Sequence, residues 1–323
     1  MIVDLPNTTI SKVSKALVKI REEGGAVALG RVLTLVISTQ GGTEEAIEAA
    51  NDASREHPMR VIVVTRSSSD DHTEARLDAQ IRVGGDAGAS EVIVLSTNGG
   101  SADDEEGLVT GLLLPDAPVV AWWPGEAPRV PSESALGRIA QRRITDAATQ
   151  PDPRASVHHL ADVYAPGDTD FAWTRLTFWR AQLAAVLDQP PFEPITGVTV
   201  SGAPESPSTV LLAAWLQLQL EVDVVHEVNP TNGSSGIHGV TLERASGTIV
   251  LDRDIPNVAT LVQPNQPVHN ISLPRRNLRD CLSEELRRLD PDDLYGLVLT
   301  QGLGKLNENP NTGVIEVVEG ETV

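Results

Sequence analysis

The sequence predicts an α/β N-terminal domain, with a mixed but mainly parallel sheet and flanking helices, followed by an α+β C-terminal domain built on an antiparallel sheet. Three observations carry this reading. VALGRVLTLVIST, TEEAIEAANDASREH and RVIVVTR read as strand, helix and strand, the unit of a parallel crossover. QPPFEP, with three prolines, excludes a helix and marks a domain boundary. Beyond it, HGVTLER, GTIVLDR, NVATLVQ and VHNISLP are short strand-like runs joined by brief turns, as in an antiparallel sheet.

The elements follow in order. NTTISKVSKALVKIREEGG has Asn and Thr at its start, apolar residues at helical spacing and Gly24-Gly25 as a stop. After the first crossover, RLDAQIRV alternates apolar and polar residues, as a strand with one solvated face does. EVIVLST is a further strand, and the acidic, Gly-rich TNGGSADDEEG a loop leading into a short helix around GLVTGLLL. APVVAWW is a buried strand, SESALGRIAQ a serine-capped helix and RRITDA the last strand of the domain. RASVHHLADVY and DFAWTRLTFWRAQLAAVL are helices. Then come the strand ITGVTVSG, the helix SPSTVLLAAWLQLQL, the strand VDVVHEV, the loop NPTNGSSG and the four antiparallel strands. RNLRDCLSEELRRL and DPDDLYGLVLTQGL close the fold as helices. The expected layout is an α/β domain over 1–150, a helical connector over 151–194, an α+β domain over 195–306 and a flexible acidic tail over 307–323.

Bulk properties narrow the function. A chain of 323 residues exceeds what one core usually supports, so two domains are expected. A formal charge of −20 repels nucleic acid and anionic membranes. No stretch approaches the roughly 20 apolar residues of a membrane span, and MIVDLPNTT lacks the layout of a secretory signal, so a cytoplasmic location is expected. A lone cysteine, Cys281, excludes an internal disulfide and a cysteine-based zinc cage.

Catalytic and cofactor signatures are sparse. The seven histidines form no metal-ligand spacing. No nucleophile elbow or Walker loop occurs, and Gly84, Gly85 and Gly88 miss the dinucleotide fingerprint. No cofactor is therefore expected. One loop leaves two readings open: in SGAPESPST, Gly202, Ser206 and Ser208 precede or open a helix. They are either an anion site suited to a phosphorylated metabolite, or simply a serine cap with Pro207 in the first helical turn. In SREHPMR, a histidine and an arginine near a helix end complement its dipole, and Pro58 stops the helix.

Tryptophans carry more information because aromatics make up only 3% of the chain. Trp122 and Trp123 are adjacent on a strand and point to opposite faces. In DFAWTRLTFWRAQLAAVL, winding at about 100° per residue puts Ala172, Leu176, Trp179, Leu183 and Val186 on a core-facing stripe. Trp173 and Arg180 share a second face, and Phe171, Arg175, Phe178 and Gln182 a third. Arginine among aromatics is the composition of interface centres, so this helix is expected to brace two domains and offer one face to a partner.

LPNTT, EAANDASREHPMRVIVV, LDAQIRVGGDAGASEV, LLPDAPVVAWWP, LGRIAQRRITDA and GDTDFAWTRLTFWRA together resemble the glucose-6-phosphate dehydrogenase assembly protein family, called OpcA. The likeness spans nearly all of residues 1–300 and is weaker from about 225 to 270. The resemblance implies a non-catalytic helper that binds glucose-6-phosphate dehydrogenase and supports NADPH production in the oxidative pentose phosphate pathway. Its motifs fall here on Ser54, Arg55, His57, Pro58 and Arg60, on Trp122, Trp123 and Pro124, and on Asp168, Asp170, Trp173, Arg175, Trp179 and Arg180. Of these, Trp122, Trp123, Asp170, Trp173, Arg175, Trp179 and Arg180 are the expected partner-binding set. Thiol-linked regulation, known in photosynthetic members, would rest here on Cys281 alone. The competing reading is a sugar-phosphate-binding α/β protein or enzyme using the Gly202–Ser208 loop.

Overall fold

The computed structural model describes residues 1–24, 30, 32–41, 43–66, 75–84, 91–99, 104–228, 236–308 and 315–316. The chain divides into two compact units, each assembled from more than one segment. The first takes Met1–Thr149, Gly167–Thr169 and Asn277–Pro291, and the second Gln150–Pro166, Asp170–Arg276 and Asp292–Val323.

The first unit begins with β1 (Ile2–Leu5), α1 (Ile10–Gly24), β2 (Leu33–Thr39), α2 (Thr43–Ala53) and β3 (Met59–Arg66). It continues with β4 (Arg76–Val83), β5 (Glu91–Asn98), α3 (Glu105–Thr110), β6 (Val119–Trp122), α4 (Ala135–Ile139) and β7 (Arg142–Thr145). After α5 (Pro153–Asp162), which belongs to the second unit, the three residues of β8 (Asp168–Asp170) complete an eight-stranded sheet in the order β1-β4-β5-β3-β2-β6-β7-β8.

Five central strands, β5-β3-β2-β6-β7, pair in parallel. β4 joins β5 antiparallel, and β1 joins β4 antiparallel with Ile2 opposite Arg82. Burial explains the sequence patterns. β2, β3, β5 and β6 are covered on both faces and read as nearly unbroken apolar or β-branched runs, β7 is equally buried but carries Arg142 and Arg143, and β4 alternates buried and partly open positions. The core on one side of the sheet runs from Val13 and Leu17 of α1 through Val36, Ile62 and Ile93 to Trp123 and Leu136.

The structure adjusts several expected boundaries. The strand expected from Val27 begins at Leu33, and the helix expected around GLVTGLLL starts earlier, at Glu105, where Asp104 caps it by accepting from the Gly107 N–H at 2.9 Å. β1 and β8 were not legible as strands. RRITDA is consequently not the last strand of the sheet. The turn expected at Gly85 and Gly88, residues 229–235 of the loop NPTNGSSG, and most of the 307–323 tail lie outside the described residues.

The second unit contains α6 (Phe171–Thr174), α7 (Thr177–Leu187), β9 (Gly197–Gly202), α8 (Pro207–Leu220) and β10 (Val224–Val228). Next come β11 (Ile237–Glu243), β12 (Ile249–Ile255), β13 (Asn257–Val262) and β14 (His269–Leu273). α9 (Leu278–Arg287) belongs to the first unit, and α10 (Asp293–Leu297), a π-helical turn at Val298–Gly302, α11 (Leu303–Glu308) and β15 (Ile315–Glu316) to the second. Seven strands run in the order β14-β13-β12-β11-β9-β10-β15. The four predicted antiparallel strands pair as expected, but β9 and β10 are parallel and joined through α8. α8 is buried along eleven consecutive residues from Pro207 to Gln217, which is why its sequence is apolar all round rather than on one stripe.

α9 explains why the C-terminal part of the chain contributes to the first unit. His57 Nε2 lies 3.2 Å from the Ser283 carbonyl oxygen. Arg142 donates through Nε to Glu285 at 3.2 Å, with both side chains buried. Arg287 reaches Glu56 at 3.1 Å at the rim.

Candidate functional site

DFAWTRLTFWRAQLAAVL is two helices rather than one. α6 stops at Thr174 and α7 begins at Thr177. The Thr174 carbonyl oxygen accepts from the Thr177 hydroxyl at 3.0 Å and from Arg276 Nη1 at 2.9 Å. Threonine hydroxyls that bond nearby carbonyls divert them from the helical ladder, and here a guanidinium does the same. Asp170 starts α6 by accepting from the Ala172 N–H at 2.8 Å. The predicted stripe is borne out in burial, because Ala172, Leu176, Trp179, Leu183 and Val186 are all buried.

The other two faces hold arginine against aromatic rings, each side chain on its own partner. The Arg180 guanidinium lies 3.8 Å from the Trp173 ring centroid, and that of Arg175 lies 6.0 Å from Phe171. Arg276 lies 5.2 Å from Phe178 and Arg253 5.3 Å from Trp179. Such contacts hold a cation against the negative face of a ring and cover apolar surface with the arginine stem. Burial, and then the neighbouring charge of Arg275, push the Arg253 guanidinium down to about 10, and it donates to the Ile237 carbonyl at 2.9 Å.

Behind Arg180 the cluster extends inward. Trp173 donates from Nε1 to Asp292 Oδ2 at 2.8 Å, while Oδ1 of the same carboxylate caps α10 by accepting from the Tyr295 N–H at 3.0 Å. Tyr295 packs 5.7 Å from Trp173 and meets Tyr164 edge-on at 6.1 Å. Gly296 makes this possible, since a Cβ there would lie 2.6 Å from the Tyr164 hydroxyl. Sequence reasoning found the arginines of the helix but not Asp292, Tyr295, Arg253 or Arg276, which come from distant segments and carry no local pattern.

Burial revises the expected partner-binding set. Exposure is 0% for Trp122, 2% for Trp123, 1% for Trp173, 2% for Trp179 and 0% for Asp170. These five side chains present almost no surface to another molecule. Arg175 and Arg180 are half-buried, and Phe178, which was not in that set, is 40% exposed. The accessible part of this cluster is therefore Arg175, Phe178, Arg180 and Arg276.

Several of the remaining motif residues are engaged in contacts within the fold. Ser54 is buried and donates to the Asn51 carbonyl at 2.6 Å. Arg55 is exposed beside Asp52, and Pro58 accepts from the Val32 N–H at 2.9 Å. Arg60 is buried and donates to Glu91 at 2.7 Å, and Glu91 also receives Nε and Nη2 of Arg21. Asp168 is buried in an ion pair with Arg143.

The anion-site reading of Gly202, Ser206 and Ser208 is not supported. The Ser206 Oγ accepts from the Thr209 N–H at 3.2 Å as the cap of α8, and Pro207 holds the first helical position. Ser208 donates to the Ala172 carbonyl at 2.9 Å. Both serines are buried, and a Cβ on Gly202 would lie 2.3 Å from the Thr209 hydroxyl, so the glycine serves a close strand-to-helix approach.

Among the described residues no group of three or more His, Cys, Asp and Glu is placed to hold a metal ion, and no helix is long and apolar enough to cross a membrane. Cys281 is fully buried in α9.

The fold is one of two mixed α/β units, the second of which packs arginines against aromatic rings. Two family models match the chain, the glucose-6-phosphate dehydrogenase subunit N-terminal domain over residues 50–162 and its C-terminal domain over residues 166–299. The chain belongs to the OpcA family of glucose-6-phosphate dehydrogenase assembly proteins. No curated protein matches it. Among solved structures it is similar to a 3-ketoreductase from Actinomadura kijaniata, at 13% identity over 84% of this chain and 94% of that one, with a TM-score of 0.44. It is also similar to glucose-6-phosphate 1-dehydrogenase from Mycobacterium avium, at 10% identity over 89% of this chain and 94% of that one, with a TM-score of 0.40. Those activities belong to those proteins, and no residue here takes a role from them.

Proposed function

We propose that this chain is a non-catalytic cytoplasmic subunit that binds glucose-6-phosphate dehydrogenase and acts as its assembly factor and allosteric activator, thereby supporting NADPH production in the oxidative pentose phosphate pathway. The observation that carries the reading is the match of both family domains across residues 50–162 and 166–299. A subunit of this kind acts by binding one conformation or oligomer of the enzyme more tightly than the others, because a partner shifts an equilibrium only through differential affinity.

The proposed contact surface takes in Phe178, with the Arg276 guanidinium 5.2 Å from its ring, and the half-buried Arg175 and Arg180 of the same segment. A half-exposed aromatic flanked by guanidinium groups has the composition of an interface centre. Trp173, Trp179 and Asp170 contribute indirectly by fixing where that surface lies.

The test mixes the protein with purified glucose-6-phosphate dehydrogenase from the same organism. NADP⁺ reduction is followed over a substrate series, and the mixture is run on size exclusion with light scattering. Co-elution with a lower apparent KM or a higher kcat is expected. Separate elution with unchanged kinetics rejects the proposal.

A further inference from the structure

The first sheet contains a cleft that the arginine–aromatic cluster does not use. From β2 the chain moves to β3 and β5 on one side, then returns to β6 and β7 on the other, so β2 and β6 are neighbours whose onward connections run in opposite directions. In open α/β sheets this switch point, at the carboxyl ends of the strands, leaves a crevice where ligands bind. Here it holds a cleft of about 220 Å³. Ser38 and Gln40 come from the end of β2, Arg66 is the last residue of β3, Trp123 follows β6, Glu105 opens α3, and Glu126 lies beyond Trp123.

The lining is polar, and its described charged residues, Arg66, Glu105 and Glu126, leave it net negative. Ser38 donates to Glu105 at 3.0 Å, and Arg66 lies 3.6 Å from the same carboxylate. Gln40 donates to Glu126 at 3.3 Å. Both carboxylates are thus oriented acceptors with lone pairs to spare, since each ionised carboxylate offers about four acceptor sites. Trp123 borders the cleft from the core side, at 2% exposure. The helix whose N-terminus holds a pyrophosphate in dinucleotide-binding sheets is α2 here, and its first turn carries Glu44 and Glu45. Glu44 there is paired with Arg82 at 2.7 Å, Glu45 adds a further negative charge that disfavours phosphate, and Arg66, the arginine among the described lining residues, already faces a carboxylate.

We infer that this cleft binds a small neutral polyhydroxylated molecule of the sugar or polyol class, its hydroxyl groups donating to Glu105 and Glu126 and accepting from Gln40 and Arg66. The ligand would act as an effector read by this chain, separate from the contact surface in the second unit.

The test uses the full-length protein without any partner, so it stands or falls independently of dehydrogenase binding. D-Glucose, D-ribose and xylitol are titrated by isothermal calorimetry, with tryptophan fluorescence as a second signal because Trp123 lines the cleft. Saturable binding of at least one of them is expected. Glu105→Gln and Gln40→Ala should each weaken it about tenfold, with unchanged melting temperature for Gln40→Ala because that side chain is exposed. Glucose 6-phosphate should bind at least about tenfold more weakly than glucose, because its phosphate meets the two carboxylates. No saturation by any of the three neutral probes overturns the inference. Binding unaffected by both substitutions overturns the location, and tighter binding of the phosphate ester overturns the ligand class.

Discussion

Arg180 and Trp173 form a stacked pair, with the guanidinium carbon 3.8 Å from the ring centroid and the indole N–H held by Asp292 at 2.8 Å. The pair closes the outer end of an aromatic column that continues through Tyr295 to Tyr164. Trp173→Ala is expected to cost about 3–5 kcal/mol in stability through the cavity it leaves. Trp173→Phe keeps most of the volume but removes the indole N–H that donates to Asp292 Oδ2, and should cost about 2 kcal/mol. Urea denaturation measures both. Dehydrogenase binding by the folded Trp173→Phe variant should be near normal, since the indole supports the surface without forming it.

Phe178 makes the opposite prediction. At 40% exposure its replacement by alanine should change stability by little more than about 0.5–1 kcal/mol. Its effect on association should be larger, with Phe178→Ala weakening dehydrogenase binding by at least about tenfold, as removal of a central aromatic contact does. Fluorescence anisotropy with labelled dehydrogenase separates the two effects. An unchanged binding curve would move the interface away from this helix.

Arg60 and Glu91 form a buried pair at 2.7 Å, with Arg21 completing the carboxylate's partners. Breaking a buried pair by removing one member leaves the other charge poorly compensated. Arg60→Ala should therefore destabilise the first unit by about 3 kcal/mol, read by thermal or urea unfolding. Arg60→Lys should recover only part of this, because a lysine cannot reproduce both the Nε contact to Glu91 and the Nη1 contact to the Leu112 carbonyl.

His226 sits buried on β10, and desolvation, helped by the nearby charge of Arg154, pushes its imidazole down to about 4 from 6.5. The folded state thus holds this histidine neutral while the unfolded chain binds a proton below pH 6.5. Stability from this source is fully present above the unfolded value, declines as pH falls towards 4, and levels off below it, a change of about 3 kcal/mol. Urea unfolding between pH 4 and 7 checks this. His226→Leu should flatten that part of the profile.

Much of the architecture was legible because the central strands announce themselves. LTLVIST and RVIVVTR are apolar because both faces are covered, and RLDAQIRV alternates because it is not. β1 and β8 escaped notice for a physical reason: IVDL is too short, and DTD too short and too polar, for a hydrophobic period, and they are strands only because an existing sheet edge pairs with them. The break between α6 and α7 was hidden for a related reason, since Arg276, about a hundred residues away, supplies the donor that takes the Thr174 carbonyl. The same non-local packing separates exposed from buried aromatics. A helical wheel showed that Trp173 and Arg180 share a face, but only the arrival of Asp292 and Tyr295 makes one of them core. The cleft between β2 and β6 had no sequence signal, because a switch point exists only once strand order is known.

α9 lies late in the sequence yet completes the unit that begins at Met1. During synthesis on a ribosome, the first 149 residues emerge with Glu285 and Ser283 still unmade, leaving buried Arg142 and the α2 surface around His57 without their counterparts. The first unit therefore finishes folding only after β9 to β14 of the second have left the exit tunnel. A nascent chain truncated before residue 277 would remain a client of chaperones however soundly its own sheet had formed, and a gene split at the family-domain junction would yield two incomplete products.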